Sequence, residues 1–176
     1  GALRVLDCGT GSGALLLAVL AELPEAQGIG IDRSLAALAV AAANASRLGM
    51  GERARLLHAD WDQPGWADVL GGPFDLVLAN PPYVEQTADL SPSVRDHEPA
   101  GALFAGEDGM DAYRILIPQI PALLAPHGVA IVEIGAALAA KVTALAAAAG
   151  LSAKLHRDLA SRPRALELVP KIVQGH

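Results

Sequence analysis

Apolar positions in this chain come in two alternating rhythms. Short apolar-rich runs of strand length fall near residues 3–8, 27–32, 53–58, 74–79, 128–134, 152–157 and 164–169. Stretches with helical spacing lie near 13–22, 34–48, 110–124 and 136–149, and the first is stopped by Pro24. Such alternation predicts an α/β fold, a mostly parallel sheet covered on both faces. The last two runs are joined only by Ser161-Arg162-Pro163, so they are expected to pair as an antiparallel hairpin at one edge. If the strand order is 3-2-1-4-5, it reverses between the first and fourth strands. Ligands of doubly wound sheets bind at that reversal, beyond the carboxyl ends of the strands.

Two motifs leave those two strands. The first strand runs into Gly9-Thr10-Gly11-Ser12-Gly13-Ala14 before an apolar helix pattern. Glycines at a strand-to-helix turn let a ligand approach the backbone and leave helix N–H groups free. The spacing Gly9, Gly11, Ala14 suits a nicotinamide or a nucleoside-sulfonium cofactor equally. The second strand ends on Asp32, followed by Arg33, roughly 20 residues after the glycines, the distance expected for a carboxylate on ribose hydroxyls. The structural alternative for Asp32 is the N-cap region of the next helix, with Ser34.

The fourth strand ends in Asn80-Pro81-Pro82-Tyr83. Two prolines remove two N–H donors and push the residues before them into extended geometry. Their carbonyls are free to face a pocket. With the Asn80 amide oxygen they offer two acceptors for a planar NH₂ group, and Tyr83 offers a ring to stack on it. A plain proline turn is the competing reading. The segment Val84 to Gly109 shows little periodicity and exceeds the about 12–15 residues of ordinary connections. Its mixture of charged and apolar residues is expected to form a lid over the pocket mouth.

Composition narrows the picture. A chain of 176 residues that is 52% hydrophobic but 3% aromatic suits one domain with a core of Ala, Leu and Val. A net charge of −6 argues against a nucleic-acid surface. The single cysteine, Cys8, cannot form an internal disulfide and fits a reducing compartment. It reads as a buried small hydrophobe on the first strand. The histidines show no metal-ligand spacing, so no metal is expected. The apolar tract Val129 to Ala153 is interrupted by Glu133, Gly135 and Lys141 and does not read as a membrane span.

Asp7 with the glycine loop, Asp32, Asp60-Trp61 and Asn80-Pro81-Pro82-Tyr83 together resemble the class I S-adenosylmethionine-dependent methyltransferases that act on amino groups. Val94-Arg95-Asp96-His97-Glu98-Pro99, Ala102-Leu103-Phe104, Asp108-Gly109, Tyr113-Arg114, Glu133-Ile134-Gly135 and Asp158-Leu159-Ala160 with Arg162 narrow the likeness to release-factor glutamine methyltransferases. The resemblance implies a Rossmann-like, seven-stranded, mostly parallel sheet in the order 3-2-1-4-5-7-6. It implies S-adenosylmethionine bound by Asp7, Gly9, Thr10, Gly11, Gly13, Asp32, Arg33, Asp60, Trp61 and Asn80. Catalysis would fall to Asn80, Pro81, Pro82 and Tyr83. It further implies that a class 1 peptide-chain release factor is the protein substrate, in the cytoplasm, with the enzyme expected to be a monomer. Residues 1–176 are expected to be the catalytic domain, with the family's N-terminal helical domain missing from this sequence. Adenine-N6 or cytosine-N4 methylation of nucleic acid, and methylation of a ribosomal-protein glutamine, are the alternative activities. Trp61 has core packing as its structural alternative.

Overall fold

The computed structural model describes residues 1–82 and 108–171. The expected lid therefore lies almost wholly outside the described residues, as does Tyr83. The strands are β1 (Arg4–Cys8), β2 (Gln27–Asp32), β3 (Ala54–His58), β4 (Phe74–Ala79), β5 (Leu124–Glu133), β6 (Leu151–Arg157) and β7 (Pro163–Pro170). The helices are α1 (Ala14–Glu22), α2 (Leu35–Arg47), α3 (Asp111–Leu116), α4 (Ile120–Leu123) and α5 (Ala139–Ala148). The strands form one seven-stranded sheet in the order β3-β2-β1-β4-β5-β7-β6. β1 to β5 run parallel, and β7 runs antiparallel to both β5 and β6. Fold class, strand order and edge hairpin are as the sequence predicts.

Strand periodicity of two sorts side chains onto two cores. Leu6, Cys8, Ile31, Val77, Ala79 and Val132 face a larger core closed by Tyr113 and Leu116 of α3 and by Val142 and Ala146 of α5. Val5 and Leu78 face a smaller one under Leu16, Leu17 and Leu20 of α1 and Ala45 of α2. Arg53 joins the layers on this side. Its guanidinium donates to the carbonyls of Leu20, Leu23 and Ala26, at 3.1, 3.3 and 3.1 Å from Nη1. These are carbonyls at and just beyond the end of α1, where a cation also complements the helix dipole.

The structure corrects the expected helix over 110–124. α3 stops at Leu116, a 3-10 turn spans Ile117–Gln119, and α4 is a single turn before β5 begins at Leu124. Pro118 and Pro121 cause this, since neither carries the N–H that an α-helical bond requires. β5 thus starts ahead of the expected 128, and its pairing with β4 is irregular, jumping from Phe74↔Leu124 to Leu76↔Val129. The extra β5 residues include Pro126. Gly128 is required there: a Cβ would lie 2.6 Å from the Phe74 carbonyl oxygen. A 3-10 turn at Trp66–Val69 also stands where no element was expected, and another, Ala136–Leu138, precedes α5.

Among the described residues no helix is long and apolar enough to cross a membrane.

Candidate active site at the carboxyl edge of the sheet

Register brings the motifs together. Cys8 pairs with Ile31 on one side and with Ala79 on the other. Gly9, Asp32 and Asn80, the next residue on each strand, therefore leave the sheet side by side. Asp32 is paired in turn with His58 at the end of β3.

The glycine loop is held in a conformation that other residues rarely adopt. Gly9, Gly11 and Gly13 have φ of 74°, 55° and 81°, in the left-handed region where a Cβ is penalised. The Thr10 amide donates to the Ile31 carbonyl (2.8 Å), tucking the loop against β2, and the Gly13 amide donates to the Thr10 carbonyl (2.8 Å). Beneath the loop lies Asp7, only 2% exposed, accepting from the Thr10 hydroxyl at 2.7 Å. Burial pushes its carboxyl up to about 6, against the opposing pull of the Thr10 hydroxyl and the Leu16 amide.

Asp32 serves two neighbours at once. One carboxylate oxygen accepts from the Gly11 amide (3.0 Å), and the other accepts from the Ser34 amide (2.8 Å). Ser34 is the N-cap of α2, its hydroxyl accepting from the Ala37 amide at 3.2 Å. The helix-entry alternative is therefore real, and it coexists with a carboxylate fixed against the glycine loop. Arg33 is exposed, and its carbonyl accepts from His58 Nε2 at 2.9 Å.

Asp60 and Trp61 follow β3. Asp60 Oδ1 accepts from the Asp62 amide (3.0 Å), making a tight turn. Trp61 is half-buried against the larger core. Its six-membered ring lies against Gly9, with ring carbons 3.1 and 3.2 Å from where a Cβ there would sit. Core packing and a place at the glycine loop are thus both true of it. A hollow of about 310 Å³ opens beside Asp60, lined also by His58, Gln63 and Trp66. A hollow of about 340 Å³ under Leu70, Pro73, Phe74 and Leu123 lies at the amino end of β4, away from these motifs.

Asn80 is exposed at the end of β4, Pro81 is buried, and Pro82 is half-buried. On the far side of the described gap, Asp108 accepts from Arg114 Nη1 (2.9 Å) and from the Met110 amide (3.2 Å). The Arg114 hydrogen bond holds its carboxyl down to about 2.

A model of the methyltransferase domain family matches residues 1–161. The chain belongs to that family. It is 46% identical to the release factor glutamine methyltransferase of Rhodospirillum rubrum over 166 residues, 93% of this chain and 50% of that protein. Identity to the Caulobacter vibrioides protein of the same name is 48% over 166 residues, 93% of this chain and 56% of the relative. The chain spans about half the length of these curated relatives. The solved ribosomal protein L11 methylase of Lactobacillus delbrueckii subsp. bulgaricus shares the fold, with a TM-score of 0.69 at 23% identity, covering 97% of this chain and 71% of that one.

The residues present in this methyltransferase domain fit S-adenosylmethionine as donor. Each Asp32 oxygen keeps acceptor capacity beyond its one backbone N–H. Among the described residues nothing lies within 4 Å of where a Cβ on Gly11 would be, so none of them fills the outer side of the loop. Sequence reasoning missed Gln119. Its amide ties the Trp61 carbonyl, the Ile115 carbonyl and the Trp66 indole together at 3.0, 2.8 and 2.6 Å. The available signal was a polar residue set between Pro118 and Pro121 inside an apolar helical pattern.

Proposed function

We propose that this domain transfers a methyl group from S-adenosylmethionine to the side-chain amide nitrogen of a glutamine, that of the Gly-Gly-Gln motif of a class 1 release factor. The observation that carries the reading is the emergence of Asn80-Pro81 beside the glycine loop on adjacent parallel strands. The near-half identity to proteins named for this reaction supports it.

The donor supplies an electrophilic methyl on a sulfonium. An amide nitrogen is a poor nucleophile because its lone pair is delocalised into the carbonyl. Asn80 Oδ1 and the Pro81 carbonyl accept the two amide hydrogens, aim the nitrogen and favour its pyramidal form as charge develops. Pro82 fixes the backbone of that receptor, and Tyr83 stacks on the amide plane. No strong base is needed, since the methylated nitrogen is acidic enough to lose its proton readily. In-line positioning supplies the larger share, about 7–11 kcal/mol in well-oriented systems.

In this reading Asp7 lies near the donor's ammonium group, with the backbone of Gly9, Thr10, Gly11 and Gly13 around its amino-acid portion. Asp32 takes the ribose hydroxyls, with Arg33 beside it. Asp60 accepts from the adenine amino group, and Trp61 lies against the ring edge. Residues 1–176 act as the catalytic domain, and the setting is the cytoplasm, where release factors work. Buried Cys8 is compatible with that, its thiol being pushed up by burial and kept protonated.

The test is mass spectrometry of a class 1 release factor incubated with this protein and S-adenosylmethionine. One added methyl on the Gly-Gly-Gln glutamine is expected. Asn80→Ala should abolish it while calorimetry shows donor affinity within a few-fold of wild type. Near-normal turnover by Asn80→Ala would reject the mechanism, and methyl found only on nucleic acid would reject the substrate.

A further inference from the structure

We propose that Gln119 is a positioning residue that sets the adenine preference of the donor site. The proposal rests on the reading of Asp60 as acceptor for the adenine amino group.

The loop carrying Asp60 and Trp61 has little regular structure to define it. It is a succession of turns: the Asp62 amide to the Asp60 carboxylate (3.0 Å), the Gln63 amide to the Asp60 carbonyl (3.0 Å), and the Trp66 amide to the Gln63 carbonyl (3.4 Å). These local bonds orient the Asp60 carboxylate within its own turn but do not set where that turn sits against the glycine loop, which requires the loop to be held at both ends.

One side chain holds both ends. Gln119 Nε2 donates to the Trp61 carbonyl, next to Asp60, and Gln119 Oε1 accepts from the Trp66 indole, where the loop closes. The second Nε2 hydrogen goes to the Ile115 carbonyl, which fixes the staple to α3. Both amide hydrogens are used, and the oxygen faces a donor that cannot accept, so the partners allow one orientation of the amide. Trp66 is 8% exposed, and its indole N–H relies on this bond. The staple spans sequence-distant parts of the site, because Trp61 also packs its ring on Gly9. Moving the Trp61 backbone therefore moves Asp60 relative to the glycine loop.

A glutamine that only satisfied a buried indole would affect melting and nothing else. A positioning glutamine affects which nucleoside the site prefers. The probes are S-adenosylhomocysteine and its inosine analogue, which differ at the group Asp60 would accept from, with calorimetric Kd for each. Wild type should favour the adenosine form by about tenfold, the worth of one well-placed hydrogen bond to a charged acceptor. Gln119→Leu should bring that ratio close to unity. The Asp32→Ala change, made in either background, should cost the same factor in affinity, since the ribose end is not held by Gln119. If Gln119→Leu does not fold, Trp66→Phe keeps an aromatic ring there while removing the indole N–H together with the five-membered ring that carries it, and it should narrow the ratio in the same direction. An unchanged ratio in a folded variant overturns the proposal. A wild-type protein that binds both probes equally overturns the Asp60 reading itself, and does so before any substitution at Gln119 is made.

Discussion

Asp7 carries its acid in a place that disfavours the charge. Burial lifts the folded carboxyl from 3.8 to about 6. Between those values the folded chain holds a proton that the unfolded chain has released, so stability falls as pH rises through the window. Above it the buried charge costs on the order of 3 kcal/mol. A cation bound beside the carboxylate reverses the preference by favouring the ionised form. The affinity for S-adenosylhomocysteine should therefore weaken as pH falls below about 6, and Asp7→Asn should flatten that dependence in calorimetry while flattening the acid-side rise in melting temperature. An Asp7→Asn profile parallel to wild type would show that another group is responsible. That Asp7 sits near the site was legible from its place just before the glycines. Its raised pKa was not, because that comes from burial beneath the folded glycine loop, which the hydrogen bonds from Thr10 and Leu16 oppose only in part.

At the level of elements, the apolar pattern located every strand and mislaid one helix. The pattern through Ile117, Ile120 and Leu123 reads as continuous helix because those side chains are buried whether the backbone is α or 3-10. Hydrophobic spacing responds to which face is covered, and only weakly to how the backbone hydrogen bonds are made. Pro118 and Pro121 carried the missing information. The same holds for the start of β5, where Pro126 and Gly128 mark a pairing irregularity that periodicity does not register. Gly128→Ala would force a Cβ against the Phe74 carbonyl. A destabilisation of about 1–3 kcal/mol is expected from such overpacking. The irregularity lies at the amino end of β4, so ligand affinity should be unchanged. A melt indistinguishable from wild type would show that the strand can shift to make room.

For the whole molecule, the order of strands was legible and the contacts that lock the layers were not. Strand order follows from connection lengths and alternation, which a sequence displays. The Trp61–Gly9 contact and the Arg53 tie join residues whose proximity exists only after the sheet has formed. Arg53 donates to carbonyls at the end of α1 and in the turn into β2, so its loss should be felt as global stability. Arg53→Ala should cost about 1.5–3 kcal/mol in urea denaturation, as for hydrogen bonds from a charged donor. Arg53→Lys should recover only part, since a point charge cannot span the same carbonyls. Full recovery by lysine would assign the effect to the helix dipole alone.

The chain contains two tryptophans, Trp61 and Trp66. One ring lies on Gly9 and the other indole is bonded to Gln119. Light emitted by this protein under excitation selective for indole therefore originates entirely from one flank of the candidate site. No chromophore of that kind elsewhere dilutes the signal. Intensity and colour report the surroundings of the loop that carries Asp60, so the molecule has a built-in, label-free optical gauge of that flank.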